Sequence, residues 1–290
     1  MKKRLLSTLL AVCLILTLAP AVALAVDLEG AGTAESPYLV NDEATLREAI
    51  AAGGYVKLTE SISISESGIA ISEENASIVI DLNGQTLGFT KEKSTLFDIQ
   101  KGSLTVTDSG EGGKITSSAS RAIQIRNGAT FTLEKGTVEM SNPDFSADVA
   151  VFNFGTLNVN GGVIKGVTAV YNYAPEVLGA TGSAVCNVNG GTIQGVGCTS
   201  GSSTGANWAC VLMGAGVDEN GNVKDYNGVI LNINGGSITA ETGGQAVATN
   251  ASSGKYAGFT INMSAGSVIA DGEGGCGMYL PAIGKTNISG

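Results

Sequence analysis

The chain contains no histidine, so the residue most often recruited for acid–base work near neutral pH is missing. Charge is scarce as well: Asp, Glu, Lys and Arg make up 14% of the sequence, against a usual ~25%. The polar surface must therefore be built mainly from Asn, Ser, Thr, Gly and the backbone. No excess of positive charge is present to meet a polyanion. Removing Lys2, Lys3 and Arg4 from the 16 Lys and Arg leaves 13 against 26 Asp and Glu, a balance of −13 for residues 26–290. Nucleic acid and anionic membranes are poor partners for such a chain. Beyond residue 25 no run is apolar for long enough to span a membrane. No phosphate-binding loop, redox motif or zinc spacing appears anywhere.

What is present begins with a leader. Lys2, Lys3 and Arg4 precede an apolar run ending in Ala23-Leu24-Ala25, the pattern of a signal peptidase site. The reading is a signal peptide over residues 1–25 and a mature chain from Val26, in a secreted location outside the cytoplasm. Cys13 follows Val12, which argues against a lipoprotein site. The 42 glycines are twice the usual ~7%, yet 43% hydrophobic residues supply ample core.

Those glycines recur in phrase. "LNVNGGVIKG" at 157–166 returns as "CNVNGGTIQG" at 186–195, "LNINGGSITA" at 231–240 and "INMSAGSVIA" at 261–270. Marker glycines 113, 136, 162, 191, 236 and 266 are spaced by 23, 26, 29, 45 and 30 residues, a period typical of stacked arrays. Within each unit β-branched residues alternate as strands require. Leu157 and Val159, Cys186 and Val188, Leu231 and Ile233, and Ile261 and Met263 point one way, while Asn and Thr point the other. One unit cannot bury its apolar face alone, but coils stacked at about 4.8 Å share a continuous core. Glycine at each corner allows the positive φ that turns the chain.

The expected architecture is thus all-β: a right-handed parallel β-helix of roughly nine coils, its handedness following the general rule for parallel crossovers. Degenerate earlier coils are read at 103–116, 131–140, 78–89 and 55–65. Residues 26–54 form a lead-in with a short helix that covers the first coil. Asn41 or Asp42 is its N-cap, Leu46, Ala49 and Ile50 its inner face, and Gly53-Gly54 its stop. The β-helix then occupies 55–290. Because the final "TNISG" ends in the middle of a corner, the array reads as truncated at its C-terminus.

From about residue 30 onward the chain resembles the right-handed parallel β-helix, or pectin-lyase-like, repeats of bacterial secreted and surface proteins. The resemblance rests on the repeats and on "GTAESPYLV", "LREAI", "YVKLTESISI" and "IDLNGQTL". It implies a fold that serves lyases, hydrolases, adhesins and passive stalks alike, and so fixes no activity. Enzymes of this group act on acidic polysaccharides through clustered outward carboxylates, and no Asp-Asp pair is present. The nearest catalytic candidates are Asp98, Arg121, Arg126 and Asp148, whose plainer reading is surface ion pairing worth about 0–1 kcal/mol.

Asp218, Asn220 and Asn222 have the alternate spacing of a calcium loop, but its twelfth position is Val229 instead of a bidentate Glu. A hairpin turning at Asn220-Gly221 fits better, and calcium is the one cofactor with any candidate. Cys198 and Cys210 flank a Ser/Gly excursion that a disulfide could clamp, although four cysteines allow three pairings. Trp208, in the same loop, is a sugar-stacking candidate or a plug over the coil below.

A second strand repeats as "AIQI", "AVFNF", "AVYNY", "AVATN" and "GMYL". Aligned on the small residue, Ile123, Val151, Val170, Val247 and Met278 face inward with Asn153 and Asn172. Phe152, Phe154, Tyr171 and Tyr173 then make an outward aromatic patch suited to glycans. A one-residue shift would bury the aromatics instead; the outward register is favoured because "AIQI" needs its isoleucines inside.

The functional expectation is a rigid, adhesin-like scaffold at the cell surface or cell wall, more a structural element than an enzyme. Cell-wall or host glycans are its candidate partners. The alternative is a polysaccharide lyase or glycoside hydrolase.

Overall fold

The computed structural model describes residues 27–91, 94–141, 149–175, 179–196, 209–214, 228–241, 243–249, 258–281 and 284–289. The leader, Asp148, Cys198, Trp208 and the Asp218, Asn220 and Asn222 loop lie outside the described residues.

Three sheets run the length of the molecule, with ten, eight and eight strands, and all their pairings are parallel. This is the right-handed parallel β-helix. A typical coil places Thr156–Val159 in the first sheet, Val163–Gly166 in the second and Thr168–Tyr173 in the third. Ala184–Val188 then returns to the first sheet directly on Thr156–Val159.

Each sheet sends one apolar column inward. Leu157, Cys186, Leu231 and Ile261 lie in register in the first. Ile164, Ile193, Ile238 and Val268 do so in the second. In the third, Phe97, Ile123, Val151, Val170, Val211, Val247 and Met278 form one line. All but Val268 and Met278 of these are buried. Like residues stack on like because the register advances by whole coils, so each coil closes the core of its neighbour.

The 45-residue interval proves to be a single coil with long corners. Ala184–Val188 pairs directly with Val229–Ile233, and between them Thr192–Gly195 and Ala209–Gly214 fill the other two sheets. Cys186 and Cys210 are both buried, and burial pushes the Cys186 thiol up to about 12.

The helix, α1, spans Glu43–Ala52 and buries Leu46, Ala49 and Ile50 against the first coil. Asp42 is its N-cap, with Oδ1 accepting from the Thr45 N–H at 2.8 Å, and Gly53 ends it at φ 78°. These bonds hold the Asp42 carboxyl below its usual range. Glu43 reaches out to accept from the Ser65 N–H, and Arg47 donates to the Ser67 carbonyl. The helix is thereby tied to a corner of the coil it covers.

Candidate functional site

The outer face of the third sheet carries the candidates predicted from sequence. Parallel register places Asp98, Gln124, Phe152, Tyr171 and Leu212 in one outward column, one residue per coil. The alternation that buries Ile123, Val151 and Val170 turns these neighbours out.

At one end of the column Asp98 is saturated. Arg126 donates to it from Nε at 2.8 Å and from Nη2 at 3.2 Å, and the Gln124 and Gln100 amides each donate at 3.1 Å. Partial burial would raise its pKa, but the hydrogen bonds from Arg126 and the two glutamines outweigh that and lower it. A carboxylate with four donors around it is a poor proton acceptor. Arg121 lies beside this pair, its Nη1 donating to Gln124 Oε1 and its Cζ 4.4 Å from the Phe152 ring centre, a cation–π contact. Burial and the neighbouring Arg126 charge lower the pKa of Arg121. Among the described residues no carboxylate stands at ion-pair distance from it.

Next along the column comes an aromatic cluster. Phe152 stacks on Tyr171 with ring centres 5.1 Å apart and planes 17° apart, and Tyr173 meets Tyr171 edge-on at 5.0 Å. Phe154 packs 4.5 Å from Phe152 and 5.7 Å from Tyr173. Phe152, Tyr171 and Tyr173 are half-buried, whereas Phe154, expected outside, is only 4% exposed. Its ring packs against those of Phe152 and Tyr173. Asn153 and Asn172 are fully buried on the inner side, with Asn153 Nδ2 donating to Asn172 Oδ1 at 2.7 Å.

Asp98, Arg121 and Arg126 are thus brought together. Among the described residues no three of Cys, Asp and Glu gather as metal ligands, and no helix is long and apolar enough to cross a membrane.

Sequence reasoning missed two features. Gln100 and Gln124 complete the Asp98 shell, and glutamine carries no motif that would have pointed to them. On the first sheet, outward asparagines form two continuous ladders. Their signal, the repeated Asn-x-Asn before each glycine corner, was in view, but only the coil register places them in line.

No family model matches this chain, and neither a curated protein nor a solved structure matches it.

Proposed function

We propose that the chain is a secreted or cell-surface β-helix of the pectin-lyase-like, bacterial adhesin type, acting as a rigid scaffold that makes weak glycan contacts through its third-sheet aromatics. The observation that carries this reading is the state of Asp98: among the described residues of the candidate cluster it is the carboxylate, and it is engaged by Arg126, Gln124 and Gln100, leaving it to brace adjacent coils. The stacked Phe152 and Tyr171 rings beside it offer the flat apolar surface on which a sugar ring can rest. The scaffold role is supported by one uninterrupted three-sheet stack, in which lateral load is shared by every coil.

The test pairs two measurements on the chain. A lyase assay on acidic polysaccharides with added calcium is expected to give no rise in unsaturated-sugar absorbance, and such a rise would overturn the scaffold reading. A glycan array is expected to give a signal that Tyr171→Ala weakens while the melting temperature changes little. An array signal that Tyr171→Ala leaves intact would remove the aromatics from the contact.

A further inference from the structure

The outer face of the first sheet is unusually regular. Thr105, Thr132, Asn158, Asn187, Asn232, Asn262 and Asn287 lie in register, one per coil. From Asn187 onward each Nδ2 donates to the Oδ1 of the asparagine one coil before it, at 2.8 Å in all four steps. Asn158 continues the line to Thr132 Oγ1 at 3.4 Å. Two residues along, at the corner, a second ladder runs from Ser264 through Asn234, Asn189 and Asn160 to Glu134, with spacings of 3.3, 2.9, 2.9 and 2.8 Å.

A primary amide has two N–H donors and an oxygen with two lone pairs. In the ladder each internal asparagine spends one donor and one lone pair on its neighbours, so one of each remains for solvent. The face therefore repeats a donor and an acceptor at every coil, about 4.8 Å apart, in two columns about 6.6 Å apart. The ladder bonds fix the orientation of the amides, which lowers the entropy lost on meeting a partner.

Charge is distributed so as to restrict that partner. Described residues 27–141 carry 16 acidic and 8 basic side chains, whereas described residues 149–289 carry five charged side chains, Lys165, Glu241, Asp271, Glu273 and Lys285. The asparagine columns lie in this nearly neutral half. Along the asparagine coils of this face the charged side chains among the described residues are Lys285 and, where the second ladder starts, Glu134; nearer the N-terminal end Lys57 and Asp81 neutralise each other at 3.5 Å.

We infer that the amide ladders of the first sheet form a binding track for an extended, neutral polysaccharide lying along the solenoid axis. A sugar hydroxyl donates and accepts at once, which matches the residual valences of each amide. A pyranose unit advances along an extended chain by a distance comparable to the rise of one coil, so a polymer can repeat the same contact at successive asparagines. Many weak contacts in series then give retention that one would not. The proposal shares its ligand class with the glycan contact proposed above, but it uses a different sheet, so the two can fail separately.

The experiment is depletion of the chain from solution by insoluble cellulose and by chitin, with soluble polygalacturonate in a gel-retardation arm. Retention on at least one neutral polymer and no retardation by polygalacturonate are expected. Asn232→Leu removes one rung, and Ile230→Arg puts a bulky charge beside the rungs while leaving the amides in place. Each is expected to weaken retention at least about fivefold with little change in melting temperature, and Tyr171→Ala is expected to leave retention unchanged. No retention on either polymer, or retention indifferent to both first-sheet variants, overturns the proposal. So does a loss that appears only in Tyr171→Ala, which would return the contact to the aromatic face.

Discussion

Asp108 is a carboxylate only 4% exposed at the corner between the first and second sheets, where Oδ1 accepts from the Gly84 N–H at 2.7 Å and Oδ2 from the Gly113 N–H at 2.9 Å. Asp108→Ala would leave the buried Gly113 N–H without its acceptor, at about 1–3 kcal/mol, and take the acceptor from the half-buried Gly84 N–H, which water can partly replace. The urea midpoint should fall accordingly, and Asp108→Asn, which keeps one acceptor, should fall less. The same corner explains a marker glycine that behaves otherwise than expected. It is Gly112, at φ 80°, that takes the left-handed turn. Gly113 is required for space, since a Cβ there would lie 2.5 Å from Asp108 Oδ1 and 2.7 Å from Leu82 Cβ. Asp98 sets an acid limb. Its pKa is lowered because bonds from Arg126 and the glutamines overcome the opposing effect of burial. A depressed carboxylate contributes stability above its unfolded value, about 3.9, and that contribution is lost as pH falls through the folded value. In denaturation series from pH 7 to 2, Asp98→Asn should therefore lose stability at pH 7, by about 1 kcal/mol or less for so accessible a pair, and should converge on the parent at the acid end. A constant gap across that range would show that the ionised carboxylate is not what matters.

At the level of elements, register decides which polar groups the core must satisfy. Asn153 accepts from the Gly155 N–H at 3.0 Å and donates to Asn172 Oδ1 and the Val185 carbonyl, and Asn172 donates on to the Ile230 carbonyl at 2.9 Å. These two fully buried amides stitch the third sheet to the first. Asn153→Val should cost about 2–3 kcal/mol, because it strands the Gly155 N–H and the Asn172 oxygen together. In a double-mutant cycle with Asn172→Val, the pair should cost measurably less than the sum of the singles, since the second change removes a group that the first had stranded. Additivity would show that the two amides act independently. The inward place of both asparagines was legible because the small residue opening each third-sheet strand aligned "AIQI" with "AVFNF" and "AVYNY", and that alignment is the observed register. The strand Ala209–Gly214 was not legible. All six of its residues are buried, so no alternation marks it, and its corners are too long to continue the period. The candidate cluster was legible in part for a similar reason: two residues apart along a strand or one coil away in register can be read from spacing, as for Asp98 and Arg126. The shell of glutamines that quiets Asp98 depends on side-chain reach, which spacing does not encode.

For the whole molecule, the two ends differ. At the N-terminal end α1 seals the core with Leu46, Ala49 and Ile50, each at most 6% exposed. At the other end Ile269, Tyr279 and Ile288 are 44%, 47% and 68% exposed, and every residue of Gly284–Ile288 is exposed. In a stacked array stability is close to a sum of coil and nearest-neighbour terms, so a coil with one neighbour lacks half of the stabilising contacts that an interior coil has. In a chain expressed only as far as Gly290, opening should therefore start in the last described coil and move inward. Native-state hydrogen exchange should be fastest in Ser267–Ala270, Cys276–Tyr279 and Gly284–Ile288, and at least about tenfold slower in the interior strands Ser77–Asp81, Thr130–Leu133 and Thr156–Val159. Leu46→Asp would bury an unpaired charge beneath the cap and should create a second opening front, raising exchange in Gly54–Leu58 and Ile62–Ile64 while leaving the far end as it was. Uniform protection from end to end, or a cap variant that accelerates every coil equally, would mean that the solenoid opens as one cooperative block and that its helix does not act as a local seal.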